Sequence, residues 1–203
     1  LDGAVLRLQV WSDRIIRVTY APGDALPETK SLSVIAKPAA VKWDCRETAD
    51  NFFVTTGAVE ARVDRKSGAV SFFDATGTAY LAETPGGRVF SPTSVKNLGA
   101  RQAGQDFALA PDEAIFGLGQ QASGPWNYRG QTVRLLQSNM NIALPVLVSS
   151  RGYGILWDNP AITTVAVGAS GKENVVAWTS EVSRTIDYYL LAGPDLDQVV
   201  ADY

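Results

Sequence analysis

Histidine is absent from this 203-residue sequence. Its absence removes imidazole general bases, Ser-His-Asp triads and His-ligated zinc sites in one step. Cysteine occurs once, as Cys45, so neither an internal disulfide nor a thiolate metal cluster can form. That thiol sits in Lys42-Trp43-Asp44-Cys45-Arg46, a polar stretch without a base beyond Lys and Arg. An activated nucleophile needs a base and an electropositive pocket, so Cys45 reads as an incidental free thiol. No apolar run approaches the roughly 18 residues of a membrane span. Nor is there a basic excess: 18 Lys and Arg against 21 Asp and Glu leave a net charge of −3. Nucleic acid and membrane are therefore not expected partners, and no metal or other cofactor is expected.

A start is missing too. Leu1-Asp2-Gly3-Ala4 has no initiator Met and none of the basic-then-apolar order of a signal peptide. The expectation is a processed or excised piece whose compartment cannot be read, with periplasm and secretion both compatible.

What is present reads as strand. Hydrophobic residues make up 46% and charged residues 19%, an ordinary globular composition. A chain of this length can bury about 70% of its unfolded surface, enough for one large sandwich or two small domains. Ala4–Val10 and Arg14–Tyr20 are β-rich runs joined through Ser12-Asp13, a hairpin or near-hairpin. Asn51–Thr56 and Ala58–Asp64 follow around Gly57. In the second, Val59, Ala61 and Val63 alternate with Glu60, Arg62 and Asp64, the period of a sheet with one wet face. Turns at Arg65–Gly68 and Asp74–Gly77 then predict a meander through Ala69–Phe73. Residues Gly86–Pro111 are rich in Gly, Pro and polar side chains and read partly as loop, with strand-like material at Asp106–Leu109. Further strands are expected at Thr132–Leu136, Ile142–Ser149, Tyr153–Trp157, Ile162–Val167, Asn174–Thr179 and Thr185–Leu191. Many short strands between turn residues predict an all-β antiparallel sandwich, not a βαβ fold. No internal repeat or low-complexity linker divides it.

The end changes period. Gly193-Pro194-Asp195 opens a helix. Leu196, Val199, Val200 and Tyr203 fall at i, i+3, i+4 and i+7, an apolar stripe expected to pack through Leu196, Val199 and Val200. No C-cap signal precedes Tyr203, so residues 193–203 are expected to lead from a 1–192 sandwich domain into a further domain.

Three segments in series carry a resemblance. They are Phe116-Gly117-Leu118-Gly119-Gln120-Gln121, then Trp126-Asn127-Tyr128-Arg129-Gly130, then Leu144–Ser150 running on to Gly152-Tyr153-Gly154-Ile155-Leu156-Trp157-Asp158-Asn159. Together they resemble the N-terminal domain of family 31 glycoside hydrolases, where a GLG turn, an N-x-R-G segment and a P-x-x-x-S-x-x-G-Y-G hairpin occur in this order. Asp187-Tyr188-Tyr189 and Gly193-Pro194-Asp195 resemble the strand and helix that lead into that family's barrel. The resemblance is sharp from Phe116 to Tyr203 and architectural before that. It implies a galactose-mutarotase-like supersandwich that packs on its own C-terminal (β/α) barrel. It also implies that the chain serves a retaining α-glycosidase acting on α-linked oligosaccharides, α-xylosides or α-glucosides.

A retaining glycosidase needs two carboxylates about 5–5.5 Å apart. The resemblance implies that both are Asp residues of the barrel, and no strand–helix alternation of a barrel occurs here. No catalytic residue is therefore assigned, and the fragment is expected to be inactive alone. Asp106, Asp112 and Glu113 sit in turn-like surroundings and read as solvated. In the family, a loop at about Gln137-Ser138-Asn139-Met140-Asn141 helps shape the substrate site. Gln137, Ser138, Asn139 and Asn141 are thus substrate-loop candidates, against the plainer reading of a solvated connection. Gly117, Gly119, Gly152 and Gly154 are candidates for backbone positioning or simple turn punctuation. Arg129 is read as holding a loop against a carboxylate or carbonyl, with substrate contact as the alternative. Trp126 and Tyr128 are read as core aromatics, with sugar stacking as the alternative. Two other classes compete: a free-standing sugar mutarotase, which the missing histidine disfavours, and an independent carbohydrate-binding module.

Overall fold

Alternation decides which face of each strand is dry. In the computed structural model, Val59, Ala61 and Val63 are buried while Glu60, Arg62 and Asp64 are half-buried on the opposite face. The structure describes residues 3–28, 30–122 and 124–203; Leu1 and Asp2, which open the expected 1–192 domain, lie outside the described residues. The strands are β1 (Ala4–Val10), β2 (Ile15–Pro22), β3 (Asp44–Glu47), β4 (Asn51–Thr55), β5 (Val59–Asp64), β6 (Val70–Asp74), β7 (Ala79–Val95) and β8 (Leu98–Ala108). There follow β9 (Ile115–Gln120), β10 (Gln131–Leu135), β11 (Ile142–Ser149), β12 (Tyr153–Trp157), β13 (Thr163–Val167), β14 (Val175–Ser180) and β15 (Ile186–Ala192), then helix α1 (Leu196–Asp202).

They form two antiparallel sheets. One has the order β1-β2-β15-β12-β11-β9, the other β10-β13-β14-β8-β7-β6-β5-β4-β3. Between them lies one core, with Trp157, Trp178, Tyr153, Tyr188, Phe72 and Phe107 among its largest buried side chains. Trp157 stacks on Trp178 at 5.5 Å, and Phe107 meets Tyr188 edge-on at 5.1 Å. The fold is the all-β sandwich that the strand signals predict.

The differences have physical causes. Residues Gly86–Pro111 are mostly strand, because β7 and β8 pair as one long hairpin closed by Lys96 and Asn97, both at positive φ. Two left-handed residues suit the right-handed twist of a two-residue hairpin, and Asn tolerates that region well. The Gly117-Leu118-Gly119 run lies inside β9 and is not a turn. Asp44–Glu47, read as plain polar sequence, forms the exposed edge strand β3 carrying Cys45, which is itself exposed.

Helix α1 is short and capped by Asp195, whose side chain accepts from the Gln198 N–H at 2.8 Å. Of its apolar residues only Val199 is buried, with Val146, Leu156, Tyr189 and Leu191 on the outer face of the six-stranded sheet, and Asp202 is half-buried beside it. Leu196 and Val200, expected to pack with it, are exposed. The reason is length: across two turns, one apolar side chain reaches the sheet, at Gly154, where the missing side chain makes room. A Cβ on Gly154 would stand 2.8 Å from Val199 Cγ1. Gly154→Ala is therefore expected to lift α1 off the sheet while the sandwich stays folded. Hydrogen exchange of the 196–203 amides should rise with little change elsewhere; unchanged protection there would refute it.

Candidate functional site

Three connections cross between the sheets at one end of the sandwich. β10 ends at Leu135 opposite Thr163, the first residue of β13, and Thr163 in turn faces Ser180 at the end of β14. The segments 136–141, 158–162 and 181–185 therefore leave the sheets side by side. The first carries the polar run; the other two frame a cavity of about 400 Å³.

Most of the polar run is occupied in shaping itself. Gln137 Oε1 accepts from the Ala143 N–H at 3.1 Å, and Asn141 Oδ1 accepts from the Ala122 N–H at 3.0 Å. Asn141 Nδ2 donates to Ser138 Oγ at 3.3 Å, and Ser138 and Asn141 form an isolated bridge closing a tight turn. Met140 turns the chain at positive φ and is 75% exposed. Asn139 stands exposed at the tip, with no side-chain hydrogen bond among the described residues. Leu136, Ile142 and Leu144, flanking the loop, are exposed as well.

An irregular strand pair carries this loop. β9 and β11 lose register between Ala143 and Leu147, so the Leu144-Pro145 stretch bulges. Gly117, Leu118 and Gly119 all have positive φ to follow it. A Cβ on Gly117 would lie 2.6 Å from Val146 O, and one on Gly119 only 1.9 Å from Ile142 O. No side chain fits there. Leu118 between them is fully buried.

The other singled-out residues lie towards the opposite end. Arg129 donates to three carbonyls, Ala110 at 2.8 Å, Glu113 at 3.2 Å and Glu173 at 3.0 Å, drawing two connections together through its planar fork. Gly152 turns β11 into β12 at positive φ. Tyr128 is buried, as expected of a core aromatic, but Trp126 is 92% exposed, a correction. Trp126 lies between β9 and β10, outside any strand, beside Asn127, whose Oδ1 accepts from the Ile115 and Arg129 N–H groups. The structure does not bring these residues to the polar loop.

Buried charges supply what sequence reading missed. Glu113, read as solvated, is buried: it accepts from Ser149 Oγ and Tyr153 O–H, both at 2.5 Å, and from the Ala110 N–H at 3.0 Å. Asp106 is half-buried and paired with Lys172, while Asp112 is exposed and paired with Arg151. Burial, with the Glu113 charge beside it, raises the Tyr153 phenol well above its usual range. In the core, Glu83 accepts from the Val70 N–H and Tyr188 O–H and pairs with Arg88; burial holds its carboxyl above the usual carboxylate range, against the lowering pull of Arg88. On the outer face of the six-stranded sheet, Arg17 grips both oxygens of Asp187 at 2.8 and 2.6 Å and lies 3.7 Å from Asp158. Burial raises Asp187 despite that fork. These partners are separated by up to 170 positions in sequence, so only i+2 alternation could have hinted at a shared face.

The fold and its ends belong to a known domain class. Residues 5–165 match the glycosyl hydrolase 31 N-terminal galactose mutarotase-like domain, so the chain belongs to that family. It is 27% identical over 212 residues to an α-xylosidase of Saccharolobus solfataricus, covering 98% of this chain and 27% of that protein. It is 26% identical to a family 31 glucosidase of Pseudescherichia vulneris, covering 98% of this chain and 40% of the relative. Among solved structures it resembles a GH31 α-xylosidase from a soil metagenome complexed with xylose, at 27% identity and a TM-score of 0.81. That match covers 95% of this chain and 30% of the other. A GH31 α-xylosidase from Xanthomonas citri, 22% identical, shares the fold at a TM-score of 0.86, covering 99% of this chain and 38% of its own. The chain thus spans well under half the length of these relatives, and corresponds to the N-terminal domain of GH31 α-glycosidases.

Proposed function

We propose that this chain is the non-catalytic front domain of a retaining α-glycosidase acting on α-xylosides or α-glucosides, and that residues 193–203 begin the passage from the 1–192 sandwich to a catalytic (β/α) barrel. The observation that carries the reading is the full-length match to family 31 enzymes of which the chain spans a minor share. Chemistry within the chain supports it. A retaining mechanism needs one free carboxylate as nucleophile and another as acid/base. Of the carboxylates that converge, Asp187 has both oxygens engaged by Arg17 with Asp158 3.7 Å from the same guanidinium, and Asp112 and Glu113 share Arg151. The domain packs on the barrel and extends Gln137–Asn141 towards the substrate. Exposed Leu136, Ile142 and Leu144 beside an exposed polar tip suit a loop seated on another surface.

Alanine substitutions in the full gene product test the loop. Asn139→Ala should lower kcat/KM roughly two- to tenfold without loss of stability, since one partly exposed hydrogen bond is worth about 0.5–1.5 kcal/mol. Asn141→Ala and Gln137→Ala should cost stability as well, because those side chains hold backbone amides of the loop. The effect should be larger on an oligosaccharide than on a small aryl glycoside. Unchanged specificity constants at all four polar positions, with stability intact, would reduce the loop to a connector.

A further inference from the structure

The cavity framed by the second and third crossovers has a construction that the loop does not share. Its wall comes from Asp158–Pro160 after β12, from Val182–Thr185 before β15, and from Lys30–Leu32 of the segment that straps the sheet. At about 400 Å³ it lies within the roughly 300–1,000 Å³ of small-molecule sites.

Its polar groups are only half used. Asp158 Oδ1 accepts from Ser31 Oγ at 2.8 Å, which pins the strap. Among the described residues Asp158 Oδ2 has no closer partner than Arg17 at 3.7 Å, beyond hydrogen-bond reach, although the side chain is 94% buried (6% exposed). Asn159 Oδ1 accepts from the Ala161 N–H at 2.8 Å, leaving its Nδ2 without a partner among the described residues. Thr185 is 7% exposed, and its hydroxyl makes no hydrogen bond among the described residues. One acceptor and two donors, without a hydrogen-bond partner among the described residues, thus belong to side chains that line the cavity. Leu32, Pro160 and Val182 add apolar surface between them.

The charge balance selects the ligand. Arg17 and Arg7 face the two carboxylates Asp158 and Asp187, so the floor of the cavity is charge-balanced and holds no unpaired charge for an anion. Exposed Lys30 and Arg184 at the rim oppose a cation. A neutral polyol is what remains: its hydroxyls both donate and accept, and the C–H face of a pyranose lies on apolar side chains.

We propose that this cavity is a saccharide subsite. It takes one neutral pyranose unit, with Asp158 Oδ2 accepting from a ring hydroxyl and Asn159 Nδ2 and Thr185 Oγ1 donating to others. The subsite lies beside the 136–141 crossover, and rests on the α-glycosidase reading only for the choice of sugar.

The test is a titration of the 203-residue chain with isomaltotriose and with methyl α-D-xyloside, followed by NMR. Saturable shifts at Asn159 and Thr185 in the millimolar range are expected. Asn159→Asp keeps the acceptor for Ala161 and replaces the amide donor by a carboxylate, adding a negative charge; Thr185→Val replaces the hydroxyl by a methyl group. Each should weaken binding about three- to tenfold, whereas Thr185→Ser and the loop variant Asn139→Ala should leave it unchanged. Absence of saturable binding, or equal affinity in wild type, Asn159→Asp and Thr185→Val with all three folded, overturns the subsite. Hydrolysis by the full gene product alongside an empty cavity would sink the subsite alone. Binding here alongside a full product inactive on α-glycosides would leave the subsite standing and remove the glycosidase reading.

Discussion

Gly119→Ala is expected to be among the most damaging single-methyl changes in the chain. The new Cβ would stand 1.9 Å from Ile142 O and 2.8 Å from Leu144 N, both backbone atoms of the bulged strand β11. Neither can rotate away as a side-chain end could. Holding alanine at φ +85° costs about 1–3 kcal/mol, and forcing two paired strands apart costs about 1–3 kcal/mol more. Gly77 is the control: its φ is +87°, but nothing lies within 4 Å of its would-be Cβ. Gly77→Ala should carry the conformational cost alone. Chemical denaturation of the two variants separates the terms, and equal losses would show that the close approach to β11 contributes nothing. Because β11 begins at Ile142, directly after the polar loop, Gly119→Ala should also disturb that loop.

Glu83→Leu should be comparably severe for a different reason. It would strand the Arg88 guanidinium, whose side chain is only 11% exposed, and leave the Tyr188 hydroxyl without its acceptor. Removing one member of a buried pair costs about 3–5 kcal/mol, a large share of the roughly 5–15 kcal/mol that holds a domain together. Glu83→Gln keeps a neutral acceptor for Tyr188 and should cost less. It also tests the protonation of the site. Burial raises the Glu83 carboxyl in the folded chain, so the folded state holds its proton to higher pH than the unfolded state does. The stability this group contributes is present below the ordinary Glu range and falls as pH rises through the raised folded value. Glu83→Gln should remove that part of the pH dependence; an unaltered profile would mean that the carboxyl is not raised.

Which of these features a reader could see in the sequence follows from how local their causes are. Val59-Glu60-Ala61-Arg62-Val63-Asp64 shows its buried face because alternation is written within six residues. The start of α1 is equally visible, since Pro194 and the capping Asp195 precede the helix directly. Its packing was not, because whether Leu196 and Val200 find a surface depends on a sheet whose strands come from distant segments. Gly117 and Gly119 stand out as glycines, yet the atoms that exclude a side chain belong to residues 142–147. Lys96-Asn97 is a weak turn signal beside Asn-Gly, and the composition around it hid the longest hairpin. For the candidate site, the polar run was legible as polarity. The division between Asn141 and Gln137, which shape the loop, and Asn139, which stands free, exists only in three dimensions. The Asp158 cavity left no trace at all, because its walls come from three segments more than a hundred positions apart at the extremes.

Hydrolysis measured side by side tests the central claim most directly. The purified 203-residue chain and the full gene product would be given aryl α-xyloside and aryl α-glucoside at matched concentrations. The account predicts release of the aryl group by the full product and none above buffer by the chain, whose converging carboxylates lie against Arg17 and Arg151. Turnover that follows the purified chain, and disappears when one of its own Asp or Glu residues is changed, would contradict it.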